Sequence, residues 1–265
     1  MNTKKYLALV MCVTLSMSGI VSAQWLWWTD DAGNRNWTDM GNWTNYPTSS
    51  DDVVIGRDST TGPIIQDGVT AYGNWVHLTD TTASGAVLTM TGGTLNVSDH
   101  FLIGENWGAG QKGTIDMSNG IINTVLLMVG GSTDGSNGDG TVNISGGIIN
   151  IGWMLAIAGG YSGTTGGGSG RVNLTGGIIN ATGGGGLVMS SNGSLNIAGG
   201  SLVLLGNITN MAGYGNVTAY NGTGTFVYNY NSTSNLTTIT AVPEPATLAL
   251  LALGGLMLGK KKARG

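Results

Sequence analysis

The chain has 265 residues, of which only 9% are charged and 48 are glycine, with a formal net charge of −4. One cysteine and ten basic residues exclude a disulfide framework and a cysteine-ligated metal. They also exclude a nucleic-acid partner, because a phosphate backbone is held by clustered Lys and Arg. No cofactor motif is present.

Residues 1–23 read as an export signal: Lys4-Lys5 supply the charged start, 6–21 the apolar stretch, and Val21-Ser22-Ala23 a small-residue cleavage site. The mature chain is expected to begin after Ala23, at Gln24. Cys12 lies inside the removed segment, so the mature chain carries no thiol. Six basic residues also belong to the two ends. Between Gln24 and Val242 remain Arg35, Arg57, Lys112 and Arg171 against twelve Asp and Glu105, a net charge of −9.

Residues 24–84 are expected to form a Trp-rich cap and the first irregular coils. Trp25, Trp27, Trp28, Trp37 and Trp43 crowd this stretch. Buried tryptophans would seal a first coil; the alternative is that Trp25, Trp27 and Trp28 offer faces to sugar rings. The order Asn36-Trp37, Asn42-Trp43, Pro47, Asp51-Asp52-Val53-Val54-Ile55, followed by Gly73-Asn74-Trp75-Val76-His77-Leu78, resembles the opening of autotransporter-like repeat proteins of bacterial envelopes. That resemblance implies a β-helical architecture.

Residues 85–206 repeat one template five times. Its closing glycines, Gly93, Gly120, Gly147, Gly177 and Gly200, are spaced by 27, 27, 30 and 23 residues, which are solenoid periods. In Val142-Asn143-Ile144-Ser145 the apolar positions alternate with polar ones, as in a strand with one buried face. A glycine corner follows, then a second short strand (95–97, 122–124, 149–151, 179–181, 202–204) and a third (101–103, 126–129, 155–157, 187–189). No proline falls between Pro63 and Pro243, so nearly every N–H stays available to a neighbouring coil. The expected fold is all-β, a parallel β-helix with aromatic end caps. Six to eight coils at about 4.8 Å each would give a rod of about 30 to 40 Å.

Polar residues in the repeats do not converge in sequence. Asp99, His100, Glu105, Asp116, Asp134 and Asp139 are scattered over loops and outward positions, so no catalytic set is expected. His77 and His100 are read as exposed strand or corner residues. Asp134, Asn137 and Asp139 share a glycine-rich loop that could offer oxygens to calcium, yet match neither the EF-hand nor the glycine-rich calcium repeat. A plain polar loop is the preferred reading. Asn96, Asn123, Asn150 and Asn180 recur at one template position and Asn143, Asn173 and Asn196 at another, the pattern of amides hydrogen-bonding along a rod.

Residues 207–241 are expected to hold the last coil, a cap built on Tyr214, Tyr220, Phe226, Tyr228 and Tyr230, and a linker. The tail, 242–265, has three parts: Val242-Pro243-Glu244-Pro245, the apolar run 246–259, and Lys260, Lys261, Lys262 and Arg264 as a basic stop. It resembles the PEP-CTERM sorting signal of Gram-negative envelope proteins. The resemblance implies an exosortase-type processing enzyme as partner and a hydrophobic C-terminal helix as membrane anchor. Fourteen residues at about 1.5 Å rise reach only about 21 Å, short of a hydrocarbon core of about 30 Å. That length suits a transient anchor. Proteins with such tails accompany exopolysaccharide and biofilm production. The expected function is therefore an exported structural or adhesive β-solenoid of the cell surface or matrix. A carbohydrate-binding module is the alternative, and a β-helix polysaccharide lyase or hydrolase comes after it.

Overall fold

The computed structural model describes residues 23–57, 59, 61–79, 85–105, 111–131, 138–160 and 168–244. The body is a parallel β-helix of about 6 turns with three faces. The first face stacks residues 86–91, 113–119, Asp139–Ile144, Ser169–Leu174, Gly193–Ile197 and Val217–Ala219. The second stacks Thr70–Gly73, 94–97, 121–124, 148–151, Ile178–Ala181 and Ser201–Leu205. The third stacks Trp25–Trp27, Asp52–Ile55, Val76–Leu78, His100–Ile103, 126–129, 154–157 and Gly186–Met189. The expected three strands per coil are the ones observed.

Period-2 alternation sends every second side chain inward, where apolar side chains stack in columns along the axis. Leu88, Ile115, Val142, Val172 and Leu195 align on the first face, and Val53, Val76, Phe101, Leu127, Leu155 and Leu187 on the third. All are buried in one continuous core. Burying such a side chain contributes about 1.5 to 3 kcal/mol. The interior is narrow, so each coil relies on the next one to complete its cover. At the corner between the first and second faces the chain turns through Gly120 at φ +98, where an added Cβ would lie 2.4 Å from the Gly92 carbonyl oxygen. Only glycine fits so close to the coil beneath.

The third face departs from simple alternation. Its outward residues Leu102, Leu126, Met128, Met154 and Ala156 form a second buried apolar cluster, with Trp75 and Val188 packed against it. The runs 101–103, 126–129 and 154–157 are thus buried on both sides, which their unbroken apolar sequences record. His77 and His100 lie on this covered exterior and are buried, contrary to the expectation that they are exposed.

At the N-terminal end Trp28, Trp37 and Trp43 close the core. Trp43 meets Trp28 and Trp37 edge-on, with centroids 4.9 and 4.8 Å apart, and its indole N–H donates to the Trp37 carbonyl at 2.8 Å. Asp39 organises the preceding turn: hydrogen bonds from the Asn34 amide and the Gly41 N–H hold its carboxyl below the usual range. The outer edge of Trp25–Trp27 is itself occupied. Thr44 N–H donates to the Trp27 carbonyl and Trp27 N–H to Thr44 Oγ1, both at 3.0 Å.

The C-terminal end closes differently. Leu236–Pro243 lies antiparallel on Ser201–Leu205, and Gly224–Asn231 pairs antiparallel with its other side. Phe226, Tyr228, Tyr214 and Tyr220 pack against the core, as an aromatic cap requires. The expected linker before the tail is replaced by strand: Val242 and Pro243 complete the last rung. Among the described residues no helix is long and apolar enough to cross a membrane. The signal peptide before Ala23, the apolar run 246–259, and Pro245, Lys260, Lys261, Lys262 and Arg264 lie outside the described residues.

Candidate functional site

Three places hold the residues singled out from the sequence, and each is built by coil stacking. The first is the start of the tail. Thr225 pairs with Val242 and Gly224 with Pro243, after which Glu244 N–H donates to the Thr223 carbonyl at 2.9 Å. A Cβ on Gly224 would sit 2.6 Å from the Val242 carbonyl oxygen, so glycine lets the two strands close at this point. Val242 is 43% exposed, and Glu244 is exposed at the rim. Three of the four residues of the Val-Pro-Glu-Pro motif are therefore held by the folded body.

The second place is the tryptophan cluster. Trp28 is 0% exposed and its indole N–H donates to the Thr61 carbonyl, so it seals the core and offers no face to a ligand. That corrects the reading of Trp28 as a sugar contact. Burial wins here because Trp28 lies directly over the first coil's aliphatic column. Trp27 is half-buried with the Arg57 guanidinium 4.9 Å over its ring. Trp25 is 45% exposed, and its ring lies 5.2 Å from that of His77.

The third place is the covered exterior of the third face, where stacking brings together residues one coil apart. His77 Nδ1 bonds Glu105 Oε2, and both side chains are buried. Thr79 Oγ1 lies within hydrogen-bonding reach of two acceptors, the Glu105 carbonyl oxygen at 2.6 Å and Gln111 Oε1, between which its single proton is shared. Trp75 stacks on His100 at 4.1 Å and donates its indole N–H to Asp99 Oδ2 at 3.1 Å, while Asp99 Oδ1 lies 2.7 Å from His100 Nδ1. Sequence reasoning treated Glu105 as a scattered loop acid. The separation of 28 residues between His77 and Glu105, one coil, was the signal available for joining them.

Asp134 and Asn137 lie outside the described residues. Asp139 is exposed and accepts from Ser169 Oγ at 2.5 Å, a bond between neighbouring coils. Among the described residues no three His, Cys, Asp or Glu side chains are grouped to hold a metal ion. The asparagines run as two ladders. Asn123, Asn150 and Asn180 each donate to the amide oxygen of the preceding member at 2.8 Å, beginning from Asn96. Asn143 donates to Asp116 Oδ1 and Asn173 to Asn143 Oδ1, also at 2.8 Å. Each ladder floors a shallow open groove, the second-face one edged by Ile151, Gly152, Thr182 and Val203.

No curated protein and no solved structure matches the chain. Residues 241–264 match the PEP-CTERM protein-sorting motif, so the tail marks an exported protein and is joined to the solenoid without an intervening loop.

Proposed function

We propose that this chain is a non-enzymatic structural or adhesive β-solenoid, delivered to the cell surface or the extracellular matrix by an exosortase-type enzyme that cuts its C-terminal tail. One observation carries the reading: the sorting motif begins in the final rung of a rigid repeat rod, so the exported cargo is the rod itself. The apolar run holds the precursor at the membrane until processing. Its shortness relative to a bilayer core and its basic stop favour a temporary anchor.

The rod's polar rows are used on one another. The asparagine amides are committed to ladders, and the His77–Glu105 pair is buried against tryptophan, so these groups act as internal supports. Carbohydrate binding is the second reading, favoured by the exposed Trp25 and by the long amide-floored groove on the second face. An exopolysaccharide strand would lie along such a groove, its hydroxyls meeting Asn and Thr.

Replacing Pro243, Glu244 and Pro245 with alanine tests the sorting claim in the producing cell. The variant is expected to accumulate uncut in the membrane fraction; normal cutting and surface delivery would overturn it. Retention of the wild-type rod on a column of the cell's own exopolysaccharide would favour the second reading.

A further inference from the structure

The two ends of the rod are finished differently, and one keeps an open strand edge. At the N-terminal end, the Trp28–Trp43 bridge and the Thr44 bonds occupy the outer edge of Trp25–Trp27. At the C-terminal end, Gly224–Asn231 pairs in register with Leu236–Pro243 on one side, and among the described residues no strand is in register with the other, Val217–Ala219 pairing with Gly193–Ile197 instead. Glu244 N–H bonds Thr223, so alternation of an antiparallel ladder aims the main-chain groups of Thr225, Val227, Asn229 and Asn231 inward, toward Leu236–Pro243. Those of Phe226, Tyr228 and Tyr230 point out along the open edge.

Soluble proteins protect such an edge with lysine, proline, a bulge or very short length. This one has eight residues in unbroken register, with no charge, no proline and three aromatic rings. The lack of charge extends far: from residue 172 to residue 243 the sequence contains no Asp, Glu, Lys, Arg or His. The net charge of −9 carried by residues 24–242 therefore lies entirely before residue 172. Two copies repel one another through their N-terminal parts, whereas at the C-terminal end the only charge among the described residues is Glu244, beyond the strand itself.

We propose that the edge of Gly224–Asn231 is a self-association site, at which a second copy of this chain adds its own Gly224–Asn231 antiparallel across a two-fold axis. Centring the axis on Tyr228 puts outward-pointing main-chain groups opposite one another. Phe226 then faces Tyr230 of the partner subunit, and Tyr228 faces Tyr228 of the partner subunit, neutral aromatic pairs suited to cross-strand contact. The second-face sheet continues through both rods, end to end. The contact is isologous and the opposite end is blocked, so association stops at two copies and forms no filament.

Light scattering on the size-separated full chain, with a thermal melt of each sample, tests this. Wild type is expected to show the mass of two chains. Val227→Lys, at a position 47% exposed, sets a charge from each copy into the neutral contact and is expected to halve the mass with its melt unchanged. Tyr230→Pro removes an edge-facing N–H without touching the ladder to Leu236–Pro243 and should do the same; if it unfolds, Val227→Lys decides alone. A wild type with the mass of one chain, or a Val227→Lys protein that keeps the mass of two, overturns the proposal.

Discussion

The side-chain amide of Asn150 donates to Asn123 Oδ1 at 2.8 Å across one coil, and the Asn150 oxygen accepts in turn from Asn180 at 2.8 Å. Asn150 is an interior member of the ladder and Asn180 its last, so the two residues differ in bond count at the same template position. A hydrogen bond of this kind contributes about 1 kcal/mol net. Asn150→Ala is expected to lower stability by about 2 kcal/mol and Asn180→Ala by about 1 kcal/mol, read from urea denaturation. Equal losses would mean that the ladder bonds add nothing beyond local strand preference.

Neighbouring isoleucines test the register more sharply. Ile149 is fully buried between Ile122 and Ile179, whereas Ile148 points outward in a column with Ile121 and Ile178. A carboxylate at position 149 would have to lose its hydration in a dry core, at a cost of several kcal/mol. At position 148 it stays in water. Ile149→Asp is expected to unfold the rod at room temperature, and Ile148→Asp to melt within a few degrees of wild type. A reversed order, followed by circular dichroism, would place the strand one residue out of register.

These two outcomes also mark what was legible before the structure. The repeat at 23 to 30 residues and the alternation of Val142 and Ile144 with Asn143 and Ser145 disclosed the coil, its faces and its core, because both come from geometry that every coil repeats. The doubly buried third face was written in Leu126-Leu127-Met128-Val129 and in Met154-Leu155-Ala156-Ile157, but a short apolar run fits one-sided burial until its neighbours are known. His77 and Glu105 looked unrelated because their pairing exists only across coils. The closing hairpin left its own trace: Thr225, Val227 and Asn229 alternate with Phe226, Tyr228 and Tyr230, and Asn235 supplies a turn residue at φ +53. Its antiparallel direction breaks the repeat, so the template could not foresee it.

Glycine substitutions separate corners that need close approach from loops that do not. At Gly130, φ is +72 and an added Cβ would lie 1.8 Å from the Ser169 carbonyl oxygen of the next coil. At Gly184 nothing lies within 4 Å. Gly130→Ala must both strain its own backbone and push two coils apart, a loss of more than about 2 kcal/mol. Gly184→Ala is expected to stay within about 0.5 kcal/mol of wild type. Comparable melting of the two variants would show that the corner yields easily.

The C-terminal cap should carry its own alkaline limit. Burial raises the Tyr228 phenol above its ordinary value of 10.0, against a weaker opposing pull from a hydrogen bond to the Met211 main chain. The unfolded chain therefore ionises this group first. Below pH 10.0 both states keep the proton and the contribution of Tyr228 to stability is complete; it is lost as pH rises through the higher pKa of the folded state. Tyr228→Phe has no proton to lose, so the difference between its urea midpoint and that of wild type should change on passing into this alkaline range. Midpoints that fall in parallel for the two proteins would show that the ring is as well solvated in the cap as in the unfolded chain.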